Sequence, residues 1–503
     1  MKNWVLRAEY TNIAANEGVM MRKEIVLAES WVFFQDCDNL QALNASTGHE
    51  VGLPHTWNAI DGQDGGNDYF RGTCCYVKTF ERPEYQAGQQ VWLEFGAVNA
   101  SARVYLNGTE VASHDGGYSS FRAHITPYLA DSNTLHVFAD NSANDSVYPQ
   151  TADFTFYGGI YRDVKLIILS ENHFEFGRWG GKGIRLTPRV LENGKGLLDV
   201  QAKVTGRYDE VVISLFDGVN CIAKASGCEC ILEVEQVHLW EGLKDPFLYL
   251  CTAELLLDGE PIDCLEYTIG FKTVLFDAEK GCFLNGRSYP LRGVSRHQDR
   301  LHVGNALTPS MHEEDMAIIL ECGANSVRLA HYQHDQTFYD LCDQRGVVCW
   351  AEIPYITKHM PNGVDNTMSQ MQELIEQCHH HPSIVCWGIS NEITAGGNSQ
   401  EVYANNLALY EKCHELDGQR PVAMAHAFML PVTDKLVTLP DIIGYNLYYG
   451  WYMGTMQGNG QFLDTCHQAH PDIPLALTEF GCEANLQFQT CHPKKGDYSE
   501  QYQ

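Results

Sequence analysis

Positive charge is scarce in this chain, and long hydrophobic runs are missing. Its 34 lysines and arginines stand against 64 aspartates and glutamates, a net charge of -30 over 503 residues. A field of that sign repels nucleic acid and anionic membrane surfaces, so neither is expected as a partner. No apolar run approaches the roughly 20 residues of a membrane span. The opening stretch, MKNWVLRAEYTNIAANEGVMMRKEIVL, lacks the apolar centre of a secretory leader, and a cytoplasmic location is expected. No GxGxxG or GxxxxGK loop occurs, so no nucleotide or redox cofactor is read. The 18 cysteines include no CxxC pair, and Cys228 and Cys230 are only two apart, which removes the usual zinc spacings. Without a leader they read as buried free thiols. The run Cys378–Pro382, CHHHP, has metal-like composition, but its place before a strand reads as a helix end.

What is present is a globular composition, 44% apolar, in a chain too long for one core, so two to four domains are expected. Residues up to about 170 alternate apolar and polar side chains in short stretches. VWLEFGAV, SARVYLNG, TLHVFAD and DVKLIIL read as strands, with a turn at Asn107-Gly108. Gly, Asn and Asp clusters separate them, which predicts a jelly roll or sandwich. GLLDVQAKV, DEVVISLFD, CILEVEQV and LYLCTAELLL repeat the pattern over a stretch suited to an immunoglobulin-like sandwich.

From about residue 282 the period changes to helices alternating with short apolar strands. Ser310 and Glu313 are spaced as a capping box before a helix that Gly323 ends. LRGVSR, NSVRLA, VVCWAE, IVCWGIS, PVAMAHA, IIGYNLY and PLALTE are the strands, and a run of β-α units predicts a (β/α)8 barrel. The eighth strand is missing after PLALTE, so the barrel reads as truncated at its C-terminus. The expected division is a possible extension over 1–20, a jelly roll over 21–172, an immunoglobulin-like sandwich over 173–275 and the barrel over 276–503.

Reactive groups in such barrels collect at the C-terminal ends of the strands. Those ends carry Arg296-His297, then Arg328 with His331, Trp350 and Glu352, Asn391-Glu392, His426, Asn446 with Tyr448 and Trp451, and Glu479. Glu392 and Glu479 lie on strands four and seven, far enough round the ring to face one another. Two facing carboxylates, one acidic and one ionised, are the apparatus of a retaining glycosidase.

These residues sit in recognisable motifs. WGISNE (Trp387–Glu392) and LTEFG (Leu477–Gly481) resemble the acid/base and nucleophile motifs of glycoside hydrolase family 2. LRGVSRHQD, VRLAHY, WAEIPY, YNLYYGWY, LPHTWN, HDGGYSSF and DFTFYGGIYRDV match the same family, in order, from about Met21 to Gln503. The resemblance implies a sugar-binding jelly roll, an immunoglobulin-like domain and a catalytic barrel. It implies Glu392 as acid/base and Glu479 as nucleophile, with Asn391 on the sugar's 2-hydroxyl and Tyr448 restraining the nucleophile. His331, Arg328 and His297 would order the pocket or touch the sugar, although a purely structural ion pair also fits Arg328. Asp153 would reach in from the jelly roll or simply make a turn. Trp451 reads equally as a stacking platform or as core.

The segment after Glu479, TEFGCEANLQFQTCHPKKGDYSEQYQ, looks like that of the family's β-galactosidases, so a β-galactoside is the expected substrate. A β-glucuronidase is the alternative, and a carbohydrate-binding protein with an inactive barrel is a second. Some family members bind Mg2+ or Na+ near the acid/base, with Glu352 a candidate neighbour, though no metal is required by the sequence. They also form homo-oligomers, which is the assembly the resemblance implies.

Overall fold

The computed structural model describes residues 22–45, 47–63 and 68–503, so the expected extension over 1–20 lies outside the described residues. The first domain packs a six-stranded sheet against a four-stranded one. Inward positions alternate as the sequence pattern requires: Val91, Leu93 and Phe95 of one sheet meet Tyr76, Val104 and Val137 of the other. Ser101–Leu106 turns through Asn107 and Gly108, at φ 52° and 83°, into Thr109–Asp115. Positive φ at both turn positions matches the right-handed twist of the flanking strands and suits Asn-Gly. The second domain is a three-stranded sheet on a four-stranded one, with Leu198, Val200 and Leu232 facing Ile213, Leu215 and Ala253.

The third domain is a seven-stranded parallel sheet in strict chain order. Its strands are β1 (Gly293–Arg296), β2 (Ser326–Leu329), β3 (Val348–Glu352), β4 (Ile384–Asn391), β5 (Val422–Ala427), β6 (Ile442–Asn446) and β7 (Leu475–Glu479). β4, β5 and β6 are buried on both faces, as parallel strands covered by helices must be. β1 is exposed over its first three residues, β7 is half-buried throughout, and the two are not paired. The barrel is therefore nearly closed, with one seam, and no eighth strand occurs among the described residues.

Helices α1 (Pro309–Glu321), α2 (Gln336–Arg345), α3 (Val364–Cys378), α4 (Gln400–Leu416) and α5 (Gln457–Ala469) alternate with the strands, except that β5 runs to β6 without a helix. The expected Ser310–Glu313 box does not form. Thr308 is the N-cap, Pro309 takes the first helical position that suits its fixed φ, and Ser310 instead bonds the Thr308 hydroxyl. Asp335 and Ser399 do cap α2 and α4 through their side chains.

Of the histidines after α3, His379 reaches another domain and His381 stays within the barrel. His379 caps α3 and bonds the Leu186 carbonyl of the second domain, while His381 bonds Asp343 of α2 at 2.6 Å. All cysteines among the described residues are free thiols, but Cys221, Cys322 and Cys491 are exposed rather than buried.

The first domain docks on α3. His114 meets Glu373 at 2.9 Å, and Ser119 donates to the same carboxylate. Tyr148 lies beside α3, where its backbone N–H donates to Asn366. Tyr118 stacks on Tyr332 with ring centroids 4.3 Å apart. Among the described residues no helix is long and apolar enough to cross a membrane.

Leu374 is fully buried in the layer between α3 and the barrel. Leu374→Ala is expected to cost about 2–5 kcal/mol through lost burial and a residual cavity. Chemical denaturation followed by tryptophan fluorescence checks it; an unchanged midpoint contradicts this packing.

Candidate active site

β2 places Arg328 inside the barrel, where it is 6% exposed and surrounded by acceptors. Its Nε and Nη2 grip the two oxygens of Glu352 at 2.9 and 3.0 Å. Nη1 donates to Glu479 Oε1 at 2.7 Å, and Nη2 donates also to Asn391 Oδ1 at 2.8 Å. Ends of four strands, β2, β3, β4 and β7, are thus joined through one guanidinium. Burial alone would disfavour its charge, but Glu352 and Glu479 outweigh that and hold Arg328 protonated. Burial likewise pushes the Glu352 carboxyl up, yet Arg328 and His331 win and hold it at about 2.

Glu479 has a second donor, the Tyr448 hydroxyl at 2.9 Å. Burial, followed by the Glu479 charge, pushes the Tyr448 phenol well up, so it stays a donor. His331 Nδ1 lies 2.6 Å from Glu352, and its Nε2 lies 3.7 Å from Glu479.

Glu392 follows the last residue of β4 at φ 46°, a left-handed conformation uncommon for a non-glycine residue and costing on the order of 1 kcal/mol. Its N–H reaches the Ala425 carbonyl of β5, which fixes the turn. Burial raises the Glu392 carboxyl above its ordinary range; the Asn446 hydrogen bond opposes this, and the charges of Glu479 and Asp153 add to it. Asn446 donates to Glu392 at 2.9 Å and to Asn391 at 3.1 Å, and is itself oriented by the Thr478 hydroxyl at 2.7 Å. Asn446 is also the ladder partner of Glu479. The two glutamates therefore share one pocket, one with its proton favoured and the other paired to a guanidinium.

Of the remaining expected residues, His297 lies at the same rim against His331 and Tyr332, with ring centroids 5.2 and 5.8 Å away. Burial, helped by His331, lowers it to about 3, so it is neutral. Asp153 is exposed, on the first domain's loop, close enough for its charge to reach Glu392 and Tyr452. Trp451 is 5% exposed and packs against Tyr498 and Tyr502, among core-like neighbours.

Asn446 and Trp350, read from the sequence only as strand-end residues without a role, and Phe154, which the sequence reading did not name, also belong to the site. Asn446 lies at a strand's C-terminal end, the signal that marked Glu392. Trp350 donates its indole N–H to Glu352 at 2.7 Å. Phe154 brings the first domain's loop against His297 and His331 at 5.0 and 5.9 Å, a contact between distant segments that no local pattern announces.

Glu352 does not suit a metal. Both its oxygens already accept from Arg328, with His331 and Trp350 adding one donor each, and a cation there would face the guanidinium. Among the described residues the one cluster of possible ligands is Asp340, Asp343 and His381. It lies before the start of β4, at the opposite end of that strand from Glu392, and Asp343 is occupied by His381 and the Ser383 N–H.

Comparison with known proteins agrees with this architecture. Residues 278–488 match the profile described as "Glycosyl hydrolases family 2, TIM barrel domain", 54–170 its sugar binding domain, and 183–272 "Glycosyl hydrolases family 2". A β-glucuronidase of Bacteroides fragilis is 34% identical over 498 residues, covering 93% of this chain and 70% of that protein. The crystal structure of an FMN-binding β-glucuronidase from Facaelibacterium prausnitzii L2-6 superposes with TM-score 0.92 at 40% identity, covering 96% of this chain and 76% of that one. A β-galactosidase of Thermoanaerobacter pseudethanolicus is 28% identical over 417 residues, covering 79% of this chain and 53% of that protein.

Two β-sandwiches leading into a barrel with a carboxylate-lined rim, matched in all three parts, define a glycoside hydrolase. The chain belongs to glycoside hydrolase family 2.

Asn446 supplies the hydrogen bond that holds Glu392 down against burial. In Asn446→Ala the Glu392 carboxyl is expected to titrate at higher pH than in the parent. Carboxyl NMR on 13C-glutamate-labelled protein measures this, and an unchanged or lower midpoint contradicts the assignment.

Proposed function

We propose that this protein is a retaining β-glycosidase in which Glu479 is the nucleophile and Glu392 the acid/base. The observation that carries the reading is the contrast between the two carboxyls. Arg328 and Tyr448 aim Glu479 from two sides, while burial raises the Glu392 carboxyl toward the protonated form an acid requires. In the first step Glu479 attacks the anomeric carbon as Glu392 protonates the leaving oxygen. In the second, Glu392 takes a proton from water, which displaces Glu479. Arg328 fixes the attacking carboxylate, Asn446 fixes the acid, and Asn391 and His331 face the sugar. His297, Asp153 and Phe154 form the wall contributed between the barrel and the first domain.

For the sugar we propose a β-D-glucuronide, because both the B. fragilis relative and the superposed F. prausnitzii structure carry that name. A neutral β-D-galactoside is the second reading. It has the support of the segment after Glu479 and of the Thermoanaerobacter relative. Electrostatics favour it as well: Arg328 is engaged by Glu352, Glu479 and Asn391, so it has little left for a uronate.

Hydrolysis of nitrophenyl β-glucuronide beside nitrophenyl β-galactoside decides between them. Preference for the glucuronide supports the first reading and preference for the galactoside the second. Silence on both, with sugar binding retained, would favour a carbohydrate-binding protein.

Glu479→Ala is expected to abolish turnover and to regain it with azide, giving a glycosyl azide of inverted configuration; no rescue in a folded variant counts against the nucleophile. Glu392→Ala is expected to spare activated aryl leaving groups and to lose alkyl ones by about 10²–10⁴-fold. Because the acid must be protonated, kcat of the parent should fall as pH rises through the raised Glu392 value. That alkaline limb should vanish in the alanine variant, and its persistence assigns it to another group.

A further inference from the structure

Glu352 makes no hydrogen bond to either glutamate assigned to the reaction, yet it organises the groups that do. Its side chain is 2% exposed and accepts from Arg328 Nε, Arg328 Nη2, His331 Nδ1 and the Trp350 indole, at 2.9, 3.0, 2.6 and 2.7 Å. A carboxylate offers about four lone-pair sites, so Glu352 is saturated. A separation of 2.6 Å between an imidazole nitrogen and an ionised carboxylate oxygen requires a proton between them. His331 therefore carries its proton on Nδ1, and the 3.2 Å approach of Arg328 Nη2 to that nitrogen is a meeting of two donors at one acceptor. In the neutral ring Nε2 is then an acceptor facing Glu479.

We infer that Glu352 is a positioning residue that divides one guanidinium between two carboxylates. Its two-point hold turns the fork of Arg328 so that Nη1 alone reaches Glu479. Without that hold, Arg328 could turn its paired N–H groups onto Glu479, which would tie down the attacking electrons. The same hold keeps the His331 proton away from Glu479. The catalytic part of this inference rests on the reading of Glu479 as nucleophile, whereas the His331 tautomer does not.

Glu352→Gln tests both parts, because an amide presents one acceptor edge and one donor edge. Whichever way it turns, its NH2 meets a donor from Arg328 or His331. Nitrogen NMR of histidine-labelled protein reads the tautomer without any substrate. The parent is expected to show His331 protonated on Nδ1, and the variant to move toward the Nε2 form; a parent in the Nε2 form overturns the inference whatever the activity.

On the glycoside that the parent hydrolyses, kcat of the glutamine variant is expected to drop by about 100-fold, from loss of hydrogen bonds to a charged group. The acidic limb of its kcat/KM profile should move to lower pH. Glu352→Asp keeps the charge and should recover at least about a tenth of parental kcat, with the limb near its parental position. Equal losses in both variants, with the limb unmoved and thermal stability reduced alike, would reduce Glu352 to a packing role. A parent silent on every glycoside with His331 in the Nδ1 form would overturn the proposed function and leave the hydrogen-bond assignment standing.

Discussion

A single buried guanidinium is the constraint on which the rim depends. Arg328 joins the ends of β2, β3, β4 and β7 by bonding Glu352, Asn391 and Glu479. An unpaired cation at that depth would be strongly unfavourable, and so would the carboxylates without it. The charges hold each other in place: the arginine stays protonated because two carboxylates surround it, and Glu352 stays ionised because Arg328 and His331 face it. Glu392 lies outside this pairing, and its carboxyl is raised for the opposite reason, burial that the Asn446 hydrogen bond and His331 only partly offset. Two glutamates in one pocket acquire different chemistry from that difference alone.

The sandwiches contribute more than bulk. The first domain fixes itself to α3 through Glu373 and Tyr148, and to the segment after β2 through the Tyr118–Tyr332 stack. That docking brings Phe154 against His297 and His331 and brings the charge of Asp153 within reach of Glu392. The second domain supports the other end of the barrel, where Trp240 donates to the Asp343 carbonyl and Lys272 to the carbonyls of Pro382 and Ile384, beside the start of β4. The strand carrying Asn391 is thereby held at its base by one sandwich while the rim is completed by the other.

Much of this was legible from residue order. Alternation gave the strands of the sandwiches because a half-buried strand must bury every second side chain. Short apolar strands between helices gave the barrel, and the end of each strand located Arg328, Asn391, Glu392, Tyr448 and Glu479. Smaller features were misread where two local signals competed. At Thr308–Glu313 the spacing of a capping box lost to a proline at the first helical position. Glu352 looked like a metal neighbour because its charge was visible and its partners were not. Phe154 and the buried setting of Trp451 had no local signature, since each depends on a segment distant in the chain.

By itself the sequence determined the order of the three domains, the period of each and the placing of Glu392 and Glu479 at strand ends, because these follow from local patterning and from which residues end each strand. Tertiary structure alone decided which charges pair, which carboxyl burial raises and which nitrogen of His331 bears a hydrogen. Those are properties of distance and burial, set when strands remote in sequence bring their ends around one guanidinium.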